Sequence, residues 1–129
     1  MTVLIDTDVL IDHLRGVPEA QNFLLRIESD VSCPAISVIS VAEIEAGLRD
    51  SERPLVEHLF AAMQVYDVDK SIARQAGRYR AFLGRSHGVQ LPDALIAATA
   101  KVHRFELITL NAKHYPMEDI VVRVPYGKG

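Results

Sequence analysis

The chain has 129 residues, room for one compact domain, and 49% of them are hydrophobic, enough for a core and too many for a disordered polymer. A formal net charge of −3 excludes a global basic field, so any contact with nucleic acid must rest on a local basic patch or on bridging cations. Cys33 is the only cysteine, which excludes an intrachain disulfide and a multi-cysteine zinc site and fits a reducing compartment.

Residues 2–5 (Thr-Val-Leu-Ile) read as a continuous apolar strand covered on both faces, and they run directly into Asp6-Thr7-Asp8. The same acids, with Asp12, interrupt any apolar signal segment, and no stretch approaches the roughly 18 apolar residues of a membrane span. The expectation is a cytoplasmic protein with no membrane partner. A short helix follows with Val9, Ile11 and Leu14 apolar, ended by Gly16-Val17-Pro18; on it Asp8 and Asp12 are expected on a solvated face. Ala20, Phe23, Leu24 and Ile27 then fall at i, i+3, i+4 and i+7, the stripe of an amphipathic helix.

Residues 31–38 resemble a strand in which Pro34 must lie at an end or an edge, and Cys33 is expected as a small core residue. Ser40 is a candidate N-cap for a helix over 41–48, with Glu43 as its capping-box partner at N3. Arg53-Pro54 opens a helix with Leu55, Leu59, Phe60 and Met63 on one face, and 65–68 reads as a short strand. Asp69 or Ser71 can start a long helix with the stripe Ile72, Ala73, Ala76, Tyr79 and Leu83, closed by Gly88. Leu91-Pro92-Asp93 begins a helix apolar nearly all round, and 107–110 and 120–124 complete about five strands. Strands alternating with helices predict an α/β fold, a mostly parallel sheet with helices on both faces.

In such folds ligands gather at the carboxyl ends of the strands, where Asp6 stands. A carboxylate closing a buried strand is costly unless a cation or hydrogen-bond donors satisfy it. Asp93 at a helix start is favoured in its ionised form by the macrodipole, and Glu43 would gain the same help; both acids also have the ordinary reading of first-turn helix residues. His13, His58, His87 and His103 show no ligand spacing.

Four segments occur in order: Leu4-Ile5-Asp6-Thr7-Asp8-Val9-Leu10, Ser40-Val41-Ala42-Glu43-Ile44-Glu45-Ala46-Gly47-Leu48, Leu91-Pro92-Asp93-Ala94-Leu95-Ile96-Ala97-Ala98, and Leu107-Ile108-Thr109-Leu110-Asn111-Ala112-Lys113-His114-Tyr115. Together they resemble the PIN-domain ribonucleases, specifically the VapC-like toxins, over almost the whole chain. The resemblance implies one PIN-like nuclease domain over 1–129. It also implies a site of Asp6, Glu43 and Asp93 that holds Mg²⁺ or Mn²⁺, supported by Thr7, Thr109 and Asn111, and that cuts RNA to leave a 5′-phosphate and a 3′-hydroxyl. It further implies a homodimer and a small antitoxin partner through which alone the pair meets promoter DNA. Where many relatives carry a fourth acid, this chain has Asn111 and His114; a histidine there reads more simply as a loop residue than as a magnesium ligand.

Two other readings start from the same residues. Asp6-Thr7-Asp8-Val9 fits the D-x-D-x-[TV] opening of haloacid-dehalogenase-like phosphatases, with Asp6 as nucleophile and Asp8 as acid/base, although no paired acids follow a late strand. A PIN module without catalysis, acting inside an antitoxin-dependent DNA-binding complex, is the other.

Overall fold

In a computed structural model of the chain, residues 2–30 and 33–127 are described, as backbone alone at 28–30. The strands are β1 (Val3–Ile5), β2 (Ala35–Ser37), β3 (Gln64–Tyr66), β4 (Glu106–Ile108) and β5 (Val122–Arg123). The α-helices are α1 (Thr7–Leu14), α2 (Pro18–Asp30), α3 (Val38–Gly47), α4 (Arg53–Ala61), α5 (Lys70–His87) and α6 (Leu91–His103). The strands pair in the order β3-β2-β1-β4-β5, every pair parallel, which gives the α/β sheet expected from the alternation of elements.

The strand order explains where a ligand can bind. From β1 the chain steps to β2 and β3 on one side, then returns to place β4 on the other side of β1. Loops leaving β1 and β4 therefore diverge and open a crevice at their carboxyl ends. Asp6 follows β1 and Thr109 follows β4, so the crevice is lined by the residues at which the strands stop.

Each face of the sheet has its own core. Leu4, Ala35 and Leu107 pack against Ile72, Ala76 and Tyr79 of α5 and Ala94, Ile96 and Ala97 of α6. Val3, Ile5, Ile36 and Ile108 point the other way, onto Val9 and Leu10 of α1, Phe23, Leu24 and Ile27 of α2, and Val56 and Leu59 of α4. This is the two-residue alternation of a strand buried on both sides, and it makes three-residue strands sufficient. Asp69 caps α5 by accepting from the Ile72 N–H at 2.9 Å, and Gly88 ends it in the left-handed conformation (φ 64°), where a side chain would be strained.

Several expectations are corrected. Residues 31 and 32 of the strand expected over 31–38 lie outside the described residues, and the strand itself ends at Ser37. Ser37, not Ser40, caps α3, accepting from the Ile39 N–H at 3.0 Å, so the helix starts three residues earlier than its Ser-x-x-Glu signature suggests. Glu43 is then the sixth residue of α3, outside the first turn, and no capping box with Ser40 forms. On α4, Val56 is buried and Leu55 is 44% exposed, so the buried stripe is rotated from the expected one; Ala73 likewise faces outward on α5. Cys33 is exposed rather than in the core. Asp12 is buried and accepts a hydrogen bond from the Tyr126 hydroxyl at 2.9 Å, because the carboxyl-terminal segment folds back over α1. No helix among the described residues is long and apolar enough to cross a membrane.

Candidate active site

The crevice between β1 and β4 is built around Asp6, which is only 7% exposed. Asp6 is the N-cap of α1: its Oδ1 accepts from the Thr7 N–H at 2.8 Å. Its Oδ2 accepts from the Thr109 hydroxyl at 2.8 Å and the Tyr115 hydroxyl at 2.9 Å. Three donors would ordinarily lower a carboxyl pKa, yet burial, reinforced by the nearby Asp8 charge, pushes Asp6 up to about 7. Desolvation wins, and the site holds a carboxylate short of positive charge.

Tyr115 ties Asp6 to Asp93. Its hydroxyl, buried beneath the crevice, is 2.9 Å from Asp6 Oδ2 and 3.3 Å from Asp93 Oδ1, so one phenolic proton is shared between two carboxylates. Burial and these acids raise the Tyr115 pKa far above its ordinary value, and the phenol stays a donor. Asp93 stands in the first turn of α6, with Pro92 ahead of it and no side-chain cap from Gln90, in keeping with the Leu-Pro-Asp signature. Its other oxygen lies 3.7 Å from Nδ1 of His114, a half-exposed residue at the end of a single 3-10 turn (Ala112–His114).

Thr7 ties Glu43 to the same place. Its Oγ1 is 2.7 Å from Glu43 Oε1 and 2.8 Å from Ser40 Oγ. A carboxylate only accepts, so the Thr7 proton goes to Glu43 and the fully buried Ser40 hydroxyl donates to Thr7. Ser40 thus acts from inside α3, as a strut under Thr7, and Glu43 is held by Thr7 in place of a helix terminus.

Asp8, expected on a solvated face, also turns into the crevice. Its Oδ2 accepts from the Leu110 N–H and from Asn111 Nδ2, each at 3.0 Å, and lies 3.3 Å from Thr109 Oγ1. The Asn111 N–H in turn donates to Thr109 Oγ1 at 3.1 Å. Asp8 therefore fastens the turn after β4, and Asn111 commits its amide to Asp8. The remaining oxygen of Asp8, Oδ1, is buried without a hydrogen-bond partner among the described residues; burial raises this acid's pKa as well.

The structure joins all six expected residues in one connected set. Asp6 reaches Thr109 and Asn111 on one side, Asp93 through Tyr115 on another, and Glu43 through Thr7 on the third. Sequence reasoning missed Asp8, Ser40 and Tyr115; the one available signal was that each is a polar group inside a segment already singled out. Among the described residues, no three His, Cys, Asp or Glu side chains stand close enough to hold an ion by themselves. The donor set is nonetheless all oxygen, with a buried, undersatisfied Asp8 Oδ1 beside it, which suits a hard cation that keeps much of its own water.

A family model of the PIN domain matches residues 3–119. The chain belongs to the PIN-domain family. Among PIN-domain proteins it is similar to Ribonuclease VapC10 of Mycobacterium tuberculosis H37Rv, 46% identical over 116 residues that cover 89% of this chain and 86% of that protein. Ribonuclease VapC19 of the same organism is 40% identical over 115 residues, covering 88% and 92%. A toxin-antitoxin complex from Klebsiella pneumoniae matches with a TM-score of 0.79 and 30% identity over 97% of this chain and 98% of that one. A DNA-bound VapBC from Salmonella typhimurium has the same fold, with a TM-score of 0.83 at 24% identity over 95% and 97%. Membership of this family removes the ground for the phosphatase reading, and the geometry agrees: Asp8, its required acid/base, is committed to the turn after β4.

Proposed function

We propose that residues 1–129 form one nuclease domain, a cytoplasmic, metal-dependent endoribonuclease that is the toxin of a toxin-antitoxin pair. Its catalytic and metal-holding acids are Asp6, Glu43 and Asp93, with Thr7, Thr109 and Asn111 in support. The observation that carries this reading is Asp6 itself, buried at the crevice between β1 and β4, given three donors and still pushed up to about 7. A cation at the crevice would meet the electrostatic deficit of such an acid.

A Mg²⁺ or Mn²⁺ ion held by Asp6, Asp93 and Glu43 would supply charge neutralisation at the scissile phosphate and an activated water. The chain's own residues prepare for it. Thr109 and Tyr115 fix the orientation of Asp6 through Oδ2, leaving its position set by the rigid end of β1. Thr7 holds Glu43, so a displacement of α3 would be felt one residue from Asp6. Asp8 and Asn111 keep the turn after β4 closed on Thr109. The charge of Asp8 beside the buried Asp6 disfavours ionisation of Asp6 unless positive charge is present, which ties RNA approach to prior cation binding.

The same reading carries the RNA substrate, a small cognate antitoxin, a homodimer, and promoter DNA reached only through the antitoxin. It draws support from relatives that are named ribonucleases and from neighbours that are toxin-antitoxin complexes. The test is end-group analysis of RNA incubated with the purified, antitoxin-free chain and Mg²⁺. Fragments with a 5′-phosphate and a 3′-hydroxyl are expected. A 2′,3′-cyclic phosphate would mean attack by the ribose hydroxyl and overturn the water mechanism, and intact RNA would favour the non-catalytic module.

A further inference from the structure

Helix α5 is 18 residues long and carries five of the chain's 14 basic residues and none of its 17 acids. At about 100° per residue, Ile72, Ala76 and Tyr79 mark its buried side; Lys70, Arg74, Arg78 and Arg85 fall together on the opposite side, with Phe82 at the margin of their line. Lys70, Arg74, Arg78 and Arg85 are exposed and have no acid or hydrogen-bond partner among the described residues. Arg80, off this line, donates to the Val89 carbonyl at 3.1 Å and is accounted for by the fold. Lys70, Ser71, Arg74 and Arg78 border a shallow cleft, and Phe82, between Arg78 and Arg85 along the helix, is 80% exposed.

The direction of α5 gives this face a purpose. Residues 88–90 are the whole link to α6, so the two packed helices run antiparallel, and the carboxyl-terminal end of α5 lies beside the end of α6 that carries Asp93. The line from Lys70 to Arg85 runs about 22 Å along the helix toward that end. A site made of Asp6, Asp8, Glu43 and Asp93 repels a polyanion, so a polyanionic substrate needs its binding energy from a neighbouring positive surface. Unpaired guanidinium groups spaced along a helix with an exposed aromatic ring among them match the phosphates and a base face of a single strand.

We propose that the outer face of α5, Lys70, Arg74, Arg78 and Arg85 with Phe82 among them, is the track that holds single-stranded RNA leading into the acidic crevice. This rests on the ribonuclease reading and names where that substrate is gripped. Phosphates bind the cations whatever the sequence, and a base stacks on Phe82.

The test is binding of a fluorescently labelled, unstructured single-stranded RNA to the full chain carrying Asp93→Asn, so that the RNA stays intact. Adding Arg74→Gln, Arg78→Gln and Arg85→Gln is expected to weaken binding at least about tenfold and to lower the slope of log K against log salt by about 2, roughly 0.7 for each phosphate no longer held. Phe82→Ala is expected to weaken binding at least about fivefold with the salt slope kept. All of these side chains are exposed, so an unfolding midpoint confirms folding, and Lys70→Glu with Arg74→Glu gives an independent pair. Unchanged affinity and slope overturn the track. So does sedimentation showing that Phe82→Ala splits a dimer while each protomer keeps its RNA affinity, which gives the face to a second copy, or an acidic peptide binding as tightly as RNA. RNA bound on α5 but left uncut by the unsubstituted chain overturns the ribonuclease reading and leaves the track; cleavage with binding independent of α5 does the reverse.

Discussion

Asp6→Asn should make the protein more stable and abolish its activity. Raising a carboxyl from 3.8 to about 7 on folding corresponds to about 4 kcal/mol. Between those values the folded chain binds the proton more tightly than the unfolded chain does. The stability contribution of Asp6 is therefore fully present below about pH 4 and is lost as the pH rises through about 7. Asparagine carries no charge to desolvate, and its carbonyl oxygen can still accept from Thr109 and Tyr115. Its amide cannot accept from the Thr7 N–H, so the cap of α1 is lost at about 1 kcal/mol. The balance at pH 8 in EDTA is a gain of about 3 kcal/mol, an upward shift of about 10 °C in Tm for a chain of this size. At pH 5 most of the gain should vanish, because there the parent's Asp6 is already protonated. Denaturant melts at the two pH values measure this directly. A variant less stable than its parent at pH 8, or equally stabilised at both pH values, would show that burial does not raise the Asp6 pKa.

Adding Mg²⁺ to the parent at pH 8 should raise its Tm, and the same addition should leave Asp6→Asn unmoved; equal shifts in both would mean the ion binds elsewhere. Thr7→Val removes the hydroxyl that holds Glu43 and strands the buried Ser40, so kcat/KM should fall about 10- to 100-fold, with Thr7→Ser restoring it; full activity would show that Glu43 needs no anchor. Tyr115→Phe takes one donor from Asp6, whose pKa then rises further, so the acid limb of the pH–rate profile should move to higher pH while stability drops by about 1 kcal/mol; an unmoved limb would separate Tyr115 from Asp6. Ile36→Ala, in the middle of β2 and fully buried, should cost about 3 kcal/mol in denaturant melts and leave kcat per folded molecule intact.

What the chain declares in one dimension is what depends on local pattern. The apolar run ending in Asp6 is β1 and its crevice; Asp69 and Gly88 are the two ends of α5; Leu91-Pro92-Asp93 is the first turn of α6. What stayed hidden depends on partners far away in sequence. Ser37 and Ser40 are equally good caps on paper, and only the pairing of Ala35–Ser37 with β3 decides that the strand stops where Ser37 can cap. Asp8 and Asp12 have the spacing of a solvated helix face, but the turn after β4 and Tyr126 arrive from about 100 residues away to hydrogen-bond them. Leu55 and Val56 are adjacent and both apolar, so the rotation of α4 is set by its packing on the core of its sheet face and not by its composition. The Tyr115 hydroxyl is one atom beyond a phenylalanine, and its value as a bridge exists only once Asp6 and Asp93 are side by side.

The most direct measurement is single-turnover cleavage of an internally labelled RNA by the purified chain and by its Glu43→Gln and Asp93→Asn variants, in Mg²⁺ and in excess EDTA. Cleavage by the parent in Mg²⁺ alone, lowered at least about 100-fold in both variants and abolished by EDTA, is the predicted result. Undiminished cleavage in EDTA, or by either variant, would contradict a metal-dependent ribonuclease centred on Asp6, Glu43 and Asp93.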